Sequence, residues 1–194
     1  MKSLEKVMLE IAKLAIMEEF TGKSLINKTY YLTLYPELAK EGAVFVTLNK
    51  IIDGERILRG CIGSIIPRRP LIDDIIYNAR AAAFMDPRFP PLRPDEVDNL
   101  EIEISILSYP KRVEYTTIDE LRRIIIPHKH GVILKYNGHQ ATFLPQVWEK
   151  LPYFDLFFEH LCQKAGLPGN CLIFHPEIYI YEVEEIKELW NKLK

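Results

Sequence analysis

The sequence is poor in the features that mark several specialised classes of protein. It has three cysteines in 194 residues, and their odd number and wide spacing do not make a disulfide framework. It has no apolar run long enough to span a membrane, so we expect no transmembrane segment. No stretch is of low complexity, and no linker is long enough to separate independent domains. We therefore expect a single domain over residues 1–194.

Neither sign of charge is in excess. The 25 lysines and arginines nearly balance the 27 aspartates and glutamates, for a formal net charge of −2. Nucleic-acid binders normally carry a basic excess or a basic stripe, and the pairs Arg68-Arg69 and Arg122-Arg123 are too short to supply one. With 48% hydrophobic and 27% charged residues, the composition is that of a globular protein. We expect neither nucleic-acid binding nor disorder.

The N-terminal segment does not have the character of an export signal. Within Met1–Phe20, where a signal peptide has an unbroken apolar region, the chain carries the glutamates Glu5, Glu10, Glu18 and Glu19. We therefore expect a cytoplasmic protein, in which Cys61, Cys162 and Cys171 stay reduced. The alternative, a disulfide between Cys162 and Cys171, would be less unusual in a thermophile.

Apolar residues at helical spacing predict several helices with recognisable caps. The first lies between Ser3, which suits the N-cap, and Gly22, which suits the C-terminal end. Thr117 with Glu120 three residues later forms the capping-box pattern of a short helix. Further helices are predicted over residues 71–84, from Pro145, over residues 154–165 and over residues 184–193.

Two turn dipeptides, Asp53-Gly54 and Asn137-Gly138, predict β-hairpins. The strands that they are predicted to join are residues 43–48 with 56–63 and residues 131–136 with 139–144. Further strands are predicted at residues 102–106, 172–174 and 178–183. Hairpins interspersed with helices predict an α+β fold with antiparallel sheets.

The residues with the most chemical character lie on the second strand of the first hairpin, at Leu58–Gly63. In a regular strand, alternation puts Arg59, Cys61 and Gly63 on one face. The guanidinium of Arg59 would then lower the pKa of the Cys61 thiol and favour the reactive thiolate. Gly60 and Gly63 would leave room beside the sulfur for another backbone or a ligand.

The same residues also allow a purely structural interpretation. A buried cysteine is commonly a small hydrophobe, and glycines within a strand often mark a bulge. Gly60 and Gly63 do not complete a phosphate-binding loop, because the lysine and hydroxyl residue that end such a loop are missing. No histidine is assignable as a base for Cys61, and Glu103 or Asp86 could serve if the fold brings either one close.

The histidines do not form a clear metal site. His128 and His130 would share a face of an extended chain, but they have no third ligand, so we interpret them as a solvated surface pair. We expect His139 to be exposed, His160 to lie on the polar face of a helix and Cys162 to lie in the core. No metal and no cofactor are predicted.

The order of the motifs along the chain resembles the AMMECR family. The segments that carry the resemblance are LRGCIG at 58–63, DPRFPPL at 86–92, EIEISIL at 101–107, TFLPQVWEKLP at 142–152 and HLCQKAGLP at 160–168. The resemblance covers about residues 42–183, most of the chain. The segments 127–131 and 137–142 depart from the family pattern, which puts in doubt any function that relatives place there.

The resemblance implies an α+β fold with a larger and a smaller lobe and a cleft near LRGCIG. It also implies that the central motif and the pair Asp86 and Arg88 belong to one functional region. Prokaryotic members resemble one component of a three-part system with a Memo-like protein and a radical-SAM protein. No reaction is established for the family, so the resemblance implies no substrate.

Two hypotheses of function follow. In the first, the protein is an enzyme or enzyme component in which Cys61 acts as a thiolate assisted by Arg59. The residues expected to bind a small polar substrate in the cleft are Gly60, Gly63, Asp86 and Arg88. In the second, it is a non-catalytic binding or adaptor module whose LRGCIG strand is a recognition edge for Memo-like and radical-SAM partners.

A shared site requires Cys61 to meet the loop at residues 86–91. The intervening helix, residues 71–84, is about 20 Å long at 1.5 Å per residue, close to the length of a six-residue strand. It can therefore run back along the hairpin and deliver the loop towards Cys61. We expect both to line one concave surface.

Overall fold

The chain divides into two units in a computed structural model that describes residues 2–193. The described residues up to Leu107, with those from Glu184 onward, form the first unit, and Ser108–Val183 form the second. Helices and two antiparallel sheets make up the structure, which confirms the predicted α+β class. Within residues 2–193 there is no helix with the length and apolar character needed to cross a membrane.

The helices and strands are numbered in chain order. The α-helices are α1 (Leu4–Thr21), α2 (Lys28–Leu34), α3 (Leu71–Phe84), α4 (Ile118–Ile124) and α5 (Phe154–Lys164). The strands are β1 (Glu41–Ile52), β2 (Glu55–Gly63), β3 (Arg69–Pro70), β4 (Leu100–Leu107), β5 (Lys111–Val113), β6 (Gly131–Tyr136), β7 (His139–Phe143), β8 (Glu177–Tyr181) and β9 (Val183–Leu189). Short 3-10 turns lie at Pro36–Ala39, Pro94–Asn99, Pro145–Glu149, Cys171–Phe174 and Trp190–Lys192.

Most of the predicted helix caps and hairpin turns are present in the structure. The Ser3 side chain caps α1, and Gly22 ends it in the left-handed region at φ 64°. Thr117 and Glu120 form the predicted capping box of α4. Both predicted hairpins are confirmed, since β1 pairs with β2 and β6 pairs with β7 in antiparallel register.

The sheet of the first unit has one face covered by helices. Its order is β2-β1-β4-β9, with β3 paired to β1, so β2 lies at an edge. The core on the covered face joins residues of β1 and β4 with α1 and α3. Val46 and Leu48 of β1 point into that core and are fully buried. Thr47 between them therefore points to the opposite face.

The predicted helix over residues 184–193 is wrong. Residues 183–189 form β9 beside β4, and a 3-10 turn follows at Trp190–Lys192. Ile186 packs against the core of the unit and Trp190 is buried in it. Sheet pairing and this burial outweigh the helix propensity of the glutamate-rich segment, which is a weak local preference.

The second unit is built on the sheet β5-β8-β6-β7. At its centre Trp148 is fully buried and stacks on Phe157 of α5, with 3.6 Å between ring centroids. Its indole N–H donates to the carbonyl of His130. The predicted strand at residues 172–174 is wrong, because these residues form the 3-10 turn Cys171–Phe174, with Leu172 buried against the core.

Two of the three cysteines are joined, which corrects the expectation that all stay reduced. Cys162 near the end of α5 and Cys171 at the next 3-10 turn form a disulfide, with their Cα atoms 5.7 Å apart. Both are fully buried, as predicted for Cys162. The sequence offered this pairing as the alternative, and the turn between the two positions brings them together. Cys61 is the free thiol of the described chain.

Candidate functional site

Cys61 lies on the edge strand β2, on the face of the sheet that points away from α3. It is partly exposed and pairs in register with Thr47 of β1. The Thr47 hydroxyl donates a hydrogen bond to the Cys61 Sγ, 3.3 Å away. Sequence analysis did not single out Thr47, although a polar residue between two apolar ones in a strand is a signal for the open face.

A β-bulge separates Arg59 from Cys61. Leu58 pairs with Asn49, but Gly60 pairs with Leu48, so Arg59 is an extra residue on β2. A bulge of this kind breaks the alternation of side chains along the strand. Arg59 therefore turns to the side of the buried Leu48, and the prediction that it shares a face with Cys61 is wrong.

Arg59 instead ties β2 to the segment that follows α3. Its Nε and Nη2 donate to the Glu96 carboxylate at 3.1 and 3.0 Å, and Nη2 also donates to the Pro90 carbonyl at 2.9 Å. Only 6% of Arg59 is exposed, and Lys50 pairs with the same carboxylate. The Arg59 hydrogen bond, with a smaller effect from Lys50, lowers the pKa of Glu96 from 4.5 to about 2.

The predicted meeting of Cys61 with the loop at residues 86–91 is confirmed as a direct contact. The Asp86 carboxylate accepts a hydrogen bond from the Cys61 backbone N–H at 2.9 Å. The Arg88 guanidinium is held by two bonds to Asp86, at 3.0 and 2.7 Å, and its Nη2 lies 3.4 Å from the Cys61 carbonyl oxygen. The guanidinium carbons of Arg59 and Arg88 lie 5.9 and 5.4 Å from the centroid of the Phe89 ring.

The electrostatics of this contact differ from the sequence prediction. Burial raises the pKa of the Cys61 thiol, and the Thr47 hydrogen bond and the Arg88 charge oppose this only in part. The prediction of a lowered thiol pKa is therefore wrong, and Arg88 rather than Arg59 is the neighbouring cation. The hydrogen bond from Arg88 holds the pKa of Asp86 well below its ordinary value, so Asp86 is a carboxylate at neutral pH.

Glu103 completes a row of polar residues across three strands. Thr47 pairs with Cys61 on one side and with Glu103 of β4 on the other. Burial, reinforced by the charge of Glu185, raises the pKa of the Glu103 carboxyl. Of the two acids that the sequence suggested as partners for the thiol, Glu103 has the greater proton affinity. Asp86 instead forms an ion pair with Arg88.

At both glycines of the motif, other protein atoms occupy the space that a side chain would need. A Cβ on Gly60 would lie 2.1 Å from the carbonyl oxygen of Ala82 in α3. A Cβ on Gly63 would lie 2.2 Å from the ring of Phe45. Gly60 thus allows β2 to approach the backbone of α3, and Gly63 accommodates an aromatic ring. The room predicted beside the sulfur is occupied by this packing.

The histidines are distributed differently from the predicted surface pair. His128 is exposed, but His130 is 7% exposed and its Nδ1 accepts the backbone N–H of Ile126 at 3.1 Å. Burial lowers the pKa of His130. His139 and His160 are exposed, as predicted. No set of three His, Cys, Asp or Glu side chains in residues 2–193 is arranged to hold a metal ion.

Comparison with known proteins places the chain among archaeal relatives. The AMMECR1 family model matches residues 9–186. A protein from Methanopyrus kandleri is 39% identical over 158 residues, which cover 78% of this chain and 73% of the relative. One from Methanothermobacter thermautotrophicus is 34% identical, with 92% and 90% covered. The crystal structure of an uncharacterized protein from Pyrococcus horikoshii matches with a TM-score of 0.77 at 32% identity, over 94% of this chain and 90% of that one.

Proposed function

Because the chain belongs to the AMMECR1 family, we propose that it is an enzyme, or a component of one, whose reactive group is the Cys61 thiol. One observation carries the proposal. The Sγ of the partly exposed Cys61 accepts a hydrogen bond from Thr47, within a row that ends at Glu103. A hydroxyl that donates to sulfur favours the thiolate, because hydrogen bonds to the charged form are the stronger ones.

The proposed chemistry is nucleophilic attack by Cys61 on an electrophilic carbon. The thiol proton passes through a bridging water to the Glu103 carboxylate, which lies two strands away. Sγ bonds to the carbon, and the π-electron pair of that carbon moves onto the substrate's heteroatom. Burial raises the pKa values of both groups. The thiol therefore keeps its proton at rest, and Glu103 accepts protons better than an ordinary glutamate does.

Arg88 and Arg59 have separate roles in this proposal. The Arg88 side chain is 54% exposed, so it can bind a polar group of a small substrate while its charge stabilises the thiolate. Asp86 orients Arg88. Arg59 is a positioning residue. It donates to the carbonyl of Pro90, in the loop that carries Asp86 and Arg88.

The experiment measures the rate of Cys61 alkylation by iodoacetamide against pH, read by mass spectrometry. The Glu103→Gln variant distinguishes two roles of Glu103, because they predict opposite changes in the alkylation rate. If Glu103 accepts the thiol proton, its loss slows alkylation at neutral pH. If Glu103 is only a nearby negative charge, its loss lowers the thiol pKa and speeds alkylation.

The control for Glu103→Gln is Glu55→Gln, an exposed carboxylate on β2, the strand that carries Cys61, and we expect it to leave the rate unchanged. Thr47→Val should slow the reaction, because it removes the hydrogen bond to sulfur. Faster alkylation in Glu103→Gln would refute the acid–base role of Glu103. A Cys61 that reacts only when the protein unfolds would refute the thiol function.

A binding module is the second candidate, and the edge position of β2 favours it. Ile57 and Leu58 are 47% and 39% exposed on this edge strand, and an extended segment of a partner can pair with such an edge. Memo-like and radical-SAM proteins are the partners to test. Lysine at both positions would abolish their binding in calorimetry if β2 is the recognition edge, whereas Cys61→Ser would leave binding intact.

Both candidates are proposed for the cytoplasm. The supporting observation is that Cys61 is a free thiol, which a reducing compartment preserves. The buried Cys162–Cys171 disulfide is compatible with it, because intracellular proteins of hyperthermophilic archaea often contain disulfides.

A further inference from the structure

The second unit carries a recess of about 410 Å³ whose lining includes no residue of the Cys61 site. It is formed by α5, by the segment that follows α5 and by the start of α4. Its apolar lining consists of Ile118, Phe158, Leu172 and Ile173. Phe158 and Leu172 are buried and form the floor, whereas Ile173 is 63% exposed at the rim. A concave apolar surface of this size is suited to a small ligand.

Three polar side chains at the rim have no protein partner. Glu159, Gln163 and Asn170 line the recess, and none of them makes a side-chain hydrogen bond or ion pair within the described residues. Asp155, which also lines the recess, is already engaged, because both its oxygens accept hydrogen bonds from Arg122. The recess therefore offers one uncompensated carboxylate and two amides above an apolar floor.

The two walls of the recess are held together covalently. Glu159 and Gln163 lie on α5 beside Cys162, and Asn170 precedes Cys171, to which Cys162 is bonded. Gly169 approaches α5 so closely that a Cβ there would lie 2.9 Å from Glu159 Cγ. The disulfide and this close approach limit the movement of the two walls relative to each other, which reduces the entropic cost of binding.

We propose that this recess binds a small organic cation with an apolar body, of the alkylammonium or arylalkylammonium class. The apolar body packs on Phe158 and Leu172, and the ammonium group pairs with Glu159. The Gln163 and Asn170 amides supply hydrogen bonds at the rim. A carboxylate or phosphate ligand is disfavoured, because it would meet the charge of Glu159, which no protein cation among the described residues offsets.

The test is a titration of the protein with phenethylammonium followed by 15N–1H NMR, with 2-phenylethanol as the uncharged comparator. We expect saturable shifts at the amides of Gln163, Asn170 and Ile173. The ammonium should bind about three- to fivefold more tightly than the alcohol, the size of one solvent-accessible ion pair. Glu159→Gln should abolish this preference.

Glu149→Gln is the matched control, since Glu149 is an exposed carboxylate of the same unit outside the recess, and it should keep the preference. Three results would overturn the proposal. They are shifts that do not saturate, equal affinity for ammonium and alcohol in the unaltered protein, and a preference that persists in Glu159→Gln.

Discussion

The Asp86 carboxylate accepts the backbone N–H of Cys61 at 2.9 Å, from 25 residues further along the chain. Arg88 completes the contact, with Nη2 3.4 Å from the carbonyl oxygen of the same residue. Asp86 and Arg88 thus bind the outward-facing N–H and C=O of Cys61, as a neighbouring strand would. Edge strands need such cover, because their free backbone groups are templates for pairing with other chains.

The first prediction concerns Asp86. Asp86→Ala should lower the free energy of unfolding by about 2–4 kcal/mol, because it leaves the Cys61 N–H and the Arg88 guanidinium without their partner. Urea denaturation measures this. Asp95→Ala is the control, since Asp95 forms the same two-residue pair with Arg93 but is 69% exposed. It should change stability by less than about 1 kcal/mol. Equal losses in the two variants would contradict the edge role.

The second prediction concerns pH and Glu96. Its pKa of about 2 in the folded protein lies below the ordinary 4.5, so its contribution to stability is complete above pH 4.5. That contribution is lost as the pH falls towards 2, and amounts to about 3 kcal/mol at most. Denaturation of Glu96→Gln across this window should show a weaker loss of stability on acidification. Parallel pH profiles of the two proteins would contradict the prediction.

The third prediction concerns the approach of β2 to α3 at Gly60. Gly60→Ala should cost more than about 3 kcal/mol, since the new Cβ would meet the backbone oxygen of Ala82, which the helix cannot move cheaply. Gly42→Ala is the comparison, because its Cβ would meet the flexible end of Leu71 at 2.8 Å. In thermal unfolding, the melting temperature of Gly60→Ala should be well below that of Gly42→Ala. Similar melting temperatures would mean that β2 can move away from the helix.

The fourth prediction concerns the Cys162–Cys171 disulfide. It closes a short loop, with a sequence separation of 9, so its removal should destabilise the second unit by about 2–3 kcal/mol. Hydrogen exchange of the double alanine variant should be faster in α5 and at Cys171–Phe174. Amides of α1 and α3 in the first unit serve as the internal control and should keep their protection. Unchanged exchange in α5 would contradict the prediction.

The sequence predicts secondary-structure elements better than it predicts which face of a sheet a side chain occupies. Caps and turn dipeptides act over a few residues. The capping box of Thr117 with Glu120 and the Asn137-Gly138 hairpin turn can therefore be recognised in the sequence alone. The bulge at Arg59 arises from pairing with β1, and no residue type on β2 requires it. The partnership of Cys61 with Thr47 and Glu103 likewise depends on strand order, which local patterns do not contain.

The two tryptophans of the chain are divided between the two units. Trp148 is fully buried against Phe157 in the second, and Trp190 is buried in the core of the first, with the ammonium of Lys13 5.2 Å from its ring. Their emission therefore comes from two distinct environments. Replacing either one by phenylalanine leaves a single tryptophan, whose emission on excitation at about 295 nm follows the loss of structure in one unit alone. Fluorescence of the two variants can thus establish the order in which the units unfold.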